Sequence, residues 1–312
     1  MGSIGLRHAR LYAALPDTVV EICESRPAGL EEARRQSPMA KYWTDYAAAL
    51  ESGPDFVVVA TPHQLHAEMS IAAMEKGIPV LSEKPMSDNL GAAEAMVAAS
   101  RRTHQPLAVG YHLRFHPGVQ RLRKMLAEGE VGPLVFARYC VDSLVALENS
   151  RSRYQATLPG ALFMDYSHGL DLLLHLTGEI PKSVETRGVP GAIGELKADP
   201  ILCSAILGYD QPLQVELHMS YVLKPEVHTL QVIGRRLGVT VELNSGQMEI
   251  HEIRENTLQR IAMPYERDPL YVRQWRAFRA HCAGQPSYLC TAEHALKTNQ
   301  LMDRLLRAWG KA

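Results

Sequence analysis

The opening hundred residues constrain this chain most, because short apolar runs alternate there with helical stretches. Residues 55–60 read DFVVVA, a continuous β-branched run of the kind buried on both faces of a parallel sheet. The same rhythm repeats around it. Helical patterns occupy residues 5–15, 30–36, 46–51, 66–76 and 90–103, the fourth ended by Gly77. Strands fit residues 18–23, 79–82 and 106–110. Alternation at this spacing predicts a parallel sheet with helices on both faces.

After Tyr111 the pattern changes. A helix at 118–128 and a long strand at 133–145 lead to a helix at 162–177, closed by Gly178. Strands follow at 182–189, 201–209, 213–221, 228–233, 238–243 and 247–253, some separated by turns such as Asn244-Ser245-Gly246. Helices at 270–282 and 292–309 close the chain. The expected fold is α/β: a Rossmann-type parallel sheet over residues 1–111, then an α+β domain over 112–312 with an open, mostly antiparallel sheet. A length of 312 residues suits two domains.

A net charge of −1 supplies no field to hold nucleic acid or an anionic membrane. No apolar run approaches the ~20 residues that span a bilayer, and the N-terminus lacks a signal-peptide core. The five cysteines are scattered without CxxC spacing, which suits reduced thiols. A cytoplasmic enzyme acting on a small molecule is expected. No Cys/His cluster has metal-ligand spacing, so no metal is expected.

The chain begins Met1-Gly2-Ser3-Ile4-Gly5. Against the dinucleotide fingerprint G-x-G-x-x-G, Gly2 and Gly5 match the second and third glycines. The helix start at Gly2, Ser3, Ile4 and Gly5 would offer its N–H groups to a pyrophosphate. Two glycines three apart suit a flexible start equally well. The first glycine and its strand would lie upstream of residue 1. The expectation is either an upstream start, adding roughly eight residues of strand and a glycine, or weak dinucleotide binding. Glu24 follows a predicted strand, 19 residues after Gly5, where a carboxylate would meet the adenosine ribose of NAD. Ser25 and Arg26 would instead suit the 2′-phosphate of NADP, and a solvated loop explains all three. Glu24 opposes that phosphate, so NAD is expected, with NADP the alternative.

Three segments lie at the carboxyl ends of predicted strands, where open α/β sheets bind ligands. They are Ala60-Thr61-Pro62-His63-Gln64-Leu65-His66, Ser82-Glu83-Lys84-Pro85 and Gly110-Tyr111-His112-Leu113-Arg114-Phe115-His116-Pro117. Together they resemble the sugar and cyclitol oxidoreductases of the glucose–fructose oxidoreductase / inositol dehydrogenase (Gfo/Idh/MocA) family, across nearly the whole chain. The resemblance implies that Thr61, Pro62, His63 and His66 line the cofactor, and that Glu83 and Lys84 flank the reacting carbons. It also implies a cis bond before Pro85. A Lys84 ammonium near a substrate oxygen would stabilise developing negative charge.

Asp165, His168 and Asp171 recur at i, i+3 and i+6 in the helix at 162–177. A histidine beside a carboxylate can move a proton near neutral pH. A capping aspartate and a buried structural histidine would give the same pattern. The family carries a matching helix, usually Asp-x-x-x-His after two glycines. Here the spacing is one residue shorter and the glycines are Gly160-Ala161, which resembles a branch handling nucleotide-linked or carboxylated sugars. The preceding loop keeps Arg153 and Tyr154. His168 is thus the expected acid/base, Asp165 its support, and His112, Arg114, Tyr154 and Asp171 substrate-side groups. The implied activity is NAD(P)-dependent oxidoreduction of a hydroxyl or keto group on a sugar, sugar nucleotide or cyclitol, by a homodimer or homotetramer. The rivals are an NAD-using hydrolase or lyase of the same fold, and a non-catalytic dinucleotide sensor.

Overall fold

The computed structural model describes residues 1–148 and 154–310, so Arg153 lies outside the described residues. In chain order the first elements are α1 (Ser3–Ala13), β1 (Glu21–Cys23), α2 (Pro27–Gln36), β2 (Lys41–Trp43), α3 (Tyr46–Glu51), β3 (Val57–Val59), α4 (His66–Glu75), β4 (Val80–Ser82), α5 (Leu90–Thr103) and β5 (Leu107–Val109). Next come α6 (Pro117–Ala127), β6 (Leu134–Asp142), α7 (Leu144–Glu148), α8 (Ala161–Asp165) and α9 (Ser167–Thr177). Then follow β7 (Ser183–Ile193), β8 (Leu196–Gly208), β9 (Gln214–Ser220), β10 (Val227–Gly234), β11 (Leu237–Glu242), β12 (Gln247–Glu252) and β13 (Thr257–Ala262). The chain closes with α10 (Arg267–Cys282), β14 (Cys290–Thr291) and α11 (Ala292–Trp309). No helix among the described residues is long and apolar enough to cross a membrane.

One unit comprises residues 1–112 and 266–296. Strands β3, β4 and β5 are parallel, with Val58 beside Leu81 and Leu81 beside Ala108. All six residues of β4 and β5 are buried, as a strand covered on both faces requires. Their core is filled by Met74, Met96 and Tyr111. Strands β1 and β2 form a separate parallel pair, and no ladder joins β1 to β3 among the described residues.

Residues 266–296, which the sequence places in the second domain, belong to this unit instead. Cys290 and Thr291 pair antiparallel with Val109 and Ala108. Trp275 of α10 stacks on Tyr12, with ring centroids 4.8 Å apart. The edge of β5 and the aromatic face of α1 are open to a returning segment, which a boundary drawn along the sequence does not register.

The other unit comprises residues 113–265 and 297–312. Its eight-stranded sheet has the order β13-β12-β11-β10-β6-β9-β8-β7, antiparallel except where β6 meets β9. Period-two alternation sends Ala137, Tyr139 and Val141 of β6 into the core with Val215, Leu217 and Met219 of β9. Arg138, Glu216 and His218 occupy the opposite, open face. The sequence pattern misses β2, β13 and α7. The helix predicted at 162–177 breaks at Tyr166, whose φ and ψ are −100° and 21°.

Gly169 packs α9 onto β6, and a Cβ there would overlap the fully buried Tyr139 ring. Gly169→Ala should therefore destabilise the protein by about 1–3 kcal/mol, the usual cost of overpacking. Thermal unfolding checks this, and an unchanged midpoint would mean the ring moves aside freely.

Candidate active site

The first unit gathers its candidate residues at the carboxyl ends of its parallel strands. Helix α1 starts with Gly2 at its N-cap, without a side-chain cap and without an acidic residue in its first turn. Space is open where a Gly2 Cβ would sit, whereas a Gly5 Cβ would lie 2.9 Å from Met1 Cγ and 3.6 Å from Ala60 Cβ. Uncapped N–H groups and an open approach at Gly2 fit a pyrophosphate.

Glu24 is not free to choose between a ribose and solvent. Its carboxylate accepts from Arg26 N–H at 2.9 Å and from Arg26 Nε and Nη2 at 3.0 Å, and it also pairs with the Met1 ammonium. The Arg26 hydrogen bonds lead in lowering its pKa to about 2. Ser25 lies exposed between them. The two residues that the sequence sets against each other as selectors of NAD and NADP thus form one chelated pair.

After β3, His63 opens a single helical turn, and the buried Thr61 hydroxyl has no hydrogen-bond partner among the described residues. Buried His66 spans two turns, with Nδ1 2.9 Å from the Pro85 carbonyl and Nε2 3.0 Å from the Thr61 carbonyl. Burial lowers its pKa although both carbonyls favour the charged ring. The Lys84–Pro85 bond is cis. Pro62 leads into the turn that His63 opens.

Glu83 points inward. Its Oε1 lies 2.6 Å from His8 Nε2, and its Oε2 accepts the Lys84 N–H at 3.1 Å. Burial pushes this carboxyl up, but the bond and charge of His8, with those of Lys84, hold it below its ordinary value. His8 was not picked out from the sequence. Its signal is the stripe Gly5, His8, Ala9 and Tyr12, the buried face of α1. His112 stacks on Tyr271 at 4.4 Å, and burial leads in holding its pKa well below the ordinary value.

In the second unit, the break at Tyr166 places Asp165 at the end of α8 and His168 in the first turn of α9. They do not share a continuous helix face, as the sequence pattern implies. Asp165 accepts from the Tyr154 hydroxyl, from Gln155 Nε2 at 3.0 Å and from the Tyr221 hydroxyl at 2.5 Å. Burial raises the pKa of both tyrosines, so they remain donors. Arg114 clasps Asp171 with Nε–Oδ2 at 2.8 Å and Nη2–Oδ1 at 2.7 Å, and both are almost wholly buried. His168 is 9% exposed.

Residues 1–111 match the family described as an oxidoreductase family with an NAD-binding Rossmann fold, and residues 119–240 match the C-terminal domain of the same family. The chain belongs to the Gfo/Idh/MocA family of NAD-binding oxidoreductases. It is 27% identical over 252 residues to UDP-N-acetylglucosamine 3-dehydrogenase of Acidithiobacillus ferrooxidans, covering 80% of this chain and 74% of that one. It is 34% identical over 180 residues to inositol 2-dehydrogenase 4 of Saccharopolyspora erythraea, covering 56% of this chain and 48% of the relative. The WlbA dehydrogenase of Bordetella pertussis, solved with NADH and UDP-GlcNAcA, has a similar fold with a TM-score of 0.81. That likeness spans 99% of this chain and 94% of the other at 22% identity.

Removing one partner of a buried ion pair leaves an uncompensated charge. Asp171→Ala should accordingly cost about 3–5 kcal/mol of stability by stranding the Arg114 guanidinium. Denaturant unfolding reads this directly, and a loss under about 1 kcal/mol would mean that Arg114 reaches water.

Proposed function

We propose that this protein is a dehydrogenase that interconverts a hydroxyl and a keto group on a sugar, sugar nucleotide or cyclitol, with NAD(H) as its dinucleotide. The observation that carries the reading is Lys84 at the carboxyl end of β4, its N–H bound to a buried carboxylate, in a chain of this family. The names of the sugar-nucleotide and inositol dehydrogenases above support the substrate class. Cytoplasmic residence and a homodimeric or homotetrameric state are part of the proposal.

When bound, the nicotinamide supplies the hydride acceptor or donor. The first turn of α1 offers N–H groups to the pyrophosphate. Thr61 and the turn through Pro62 and His63 provide the polar wall after β3, and Glu24, clasped by Arg26, is the carboxylate proposed for the adenosine ribose. Lys84 donates to the substrate oxygen and stabilises its negative charge. His168 takes up or returns the hydroxyl proton. Asp165 aims the helix that bears His168 by gathering Tyr154, Gln155 and Tyr221. Arg114 and Asp171 position α9, and His112, its pKa held well below the ordinary value by burial first, is a substrate-side group.

The test is formation of NADH from NAD+ with a panel of sugars, cyclitols and nucleotide sugars, beside titrations of NADH and NADPH. Turnover with none of the panel would sink the dehydrogenase reading, and tighter NADPH binding would sink the NAD preference. Lys84→Met should cut turnover by ~10²-fold or more while NADH still binds, the scale of losing one donor to a developing oxyanion. His168→Ala should slow turnover ~10²- to 10⁴-fold and flatten its pH dependence, the share of a positioned acid/base. An unaltered pH profile would assign proton transfer elsewhere.

A further inference from the structure

We propose that His8 is a positioning residue for Lys84, acting through the Glu83 carboxylate. The proposal rests on the reading of Lys84 as the donor to the substrate oxygen. Four groups from two stretches of the first unit form one line: Tyr12 hydroxyl, His8 ring, Glu83 carboxylate and Lys84 N–H. The distances along it are 2.8, 2.6 and 3.1 Å. The Tyr12 hydroxyl and His8 Nδ1 share one hydrogen bond, and burial raises the Tyr12 pKa well above its ordinary value, so this hydroxyl keeps its proton. Nε2 then carries the ring proton toward Glu83 Oε1.

The line has little freedom. His8, Tyr12 and Glu83 are buried, and His8 meets the Tyr271 ring edge-on at 5.4 Å. Gly110 lies against the carboxylate, where a Cβ would come within 3.0 Å of Oε1. The Glu83 N–H is fixed to the Val59 carbonyl at 2.8 Å. Glu83 therefore has one satisfied orientation, and in it Oε2 holds the N–H of the next residue. Without His8, a buried carboxylate keeps a single hydrogen-bonded neighbour on this line. It must then reorient or take a proton: reorientation releases Lys84 N–H, and protonation weakens Oε2 as its acceptor. Misplacement of a reacting group by about 1 Å costs ~10²-fold in rate.

The geometry also separates this role from dinucleotide binding. His8 lies on the face of α1 turned to Glu83, one turn beyond Gly5, while the uncapped N–H groups lie at the other side of Gly5. His8→Leu should therefore lower kcat ~10- to 10²-fold with NADH affinity within about threefold of wild type. His8→Gln, whose amide can donate to Glu83, should run about tenfold faster than His8→Leu. In a Lys84→Met background, His8→Leu should slow the residual turnover less than twofold, because the group it positions has gone.

Three measurements decide the matter: kcat for each variant, NADH binding by fluorescence, and the melting midpoint. Wild-type kcat in His8→Leu beside a slow Lys84→Met overturns this proposal alone. Equal slowing by His8→Leu in both backgrounds overturns it too, as does equal slowing by Gln and Leu. A Lys84→Met enzyme as fast as wild type overturns the reading of Lys84, and this proposal with it. Should His8→Leu fail to fold, the Gln variant and the same double-mutant comparison with Glu83→Gln carry the test.

Discussion

A carboxylate taken out of water must find donors, and Glu83 is the place where the first unit meets that requirement. It sits at the end of β4, in a sheet whose two central strands are wholly buried. Solvent is therefore not an option for its oxygens. The donors come from His8 on a helix, 75 positions upstream, and from its own neighbour's backbone. Gly110 stays small because the carboxylate lies on it. The rings of Tyr12 and Tyr271 pack on the histidine, and Trp275 stacks on Tyr12, which holds α10 in this unit. The placement of a helix, a glycine and a returning segment all follow from one charge.

The second unit solves a similar problem with different parts. The first eight residues of α9 are buried, polar ones included, because the helix lies under its neighbours on all sides. Asp171 is tolerable there because Arg114 offers two parallel N–H groups in the fork that matches a carboxylate. Asp165 sits where α8 stops and α9 starts, and its lone pairs are taken by two hydroxyls and an amide. Those donors come from the loop before α8 and from the turn after β9. The break at Tyr166 thus lets a short helix and a long one meet at different angles around one carboxylate. A continuous helix would have carried Asp165 and His168 on one face.

How much of this was legible in the sequence depends on the range of each interaction. The β-branched run at 55–60 and the alternation after 182 exposed the strands, because burial on two faces or one leaves a local pattern. The Ser82–Pro85 segment and the Asp165–Asp171 helix were legible as motifs. Partnership was not. Arg114 and Asp171 were both picked as separate substrate groups, though they hold each other. Glu24 and Arg26 were set in opposition, though a two-residue spacing lets one guanidinium clasp its neighbour's carboxylate. His8 carried no motif, since its role depends on a carboxylate 75 positions away. The break at Tyr166 escaped because leucine-rich periodicity continues straight across it.

The net charge of −1 hides a local field of the opposite sign. His112 reports it. Burial first, and then the positive charges of Arg267, Lys84 and Arg7, hold its pKa well below the ordinary value. A histidine so surrounded stays neutral through the pH range in which enzymes work, so it adds no charge of its own. Arg7 lies 5.5 Å over the Tyr271 ring, the ring that also stacks on His112. A group that must stabilise negative charge on an oxygen gains from such neighbours without moving them. The same cations oppose an imidazolium at His112 and add to the effect of burial.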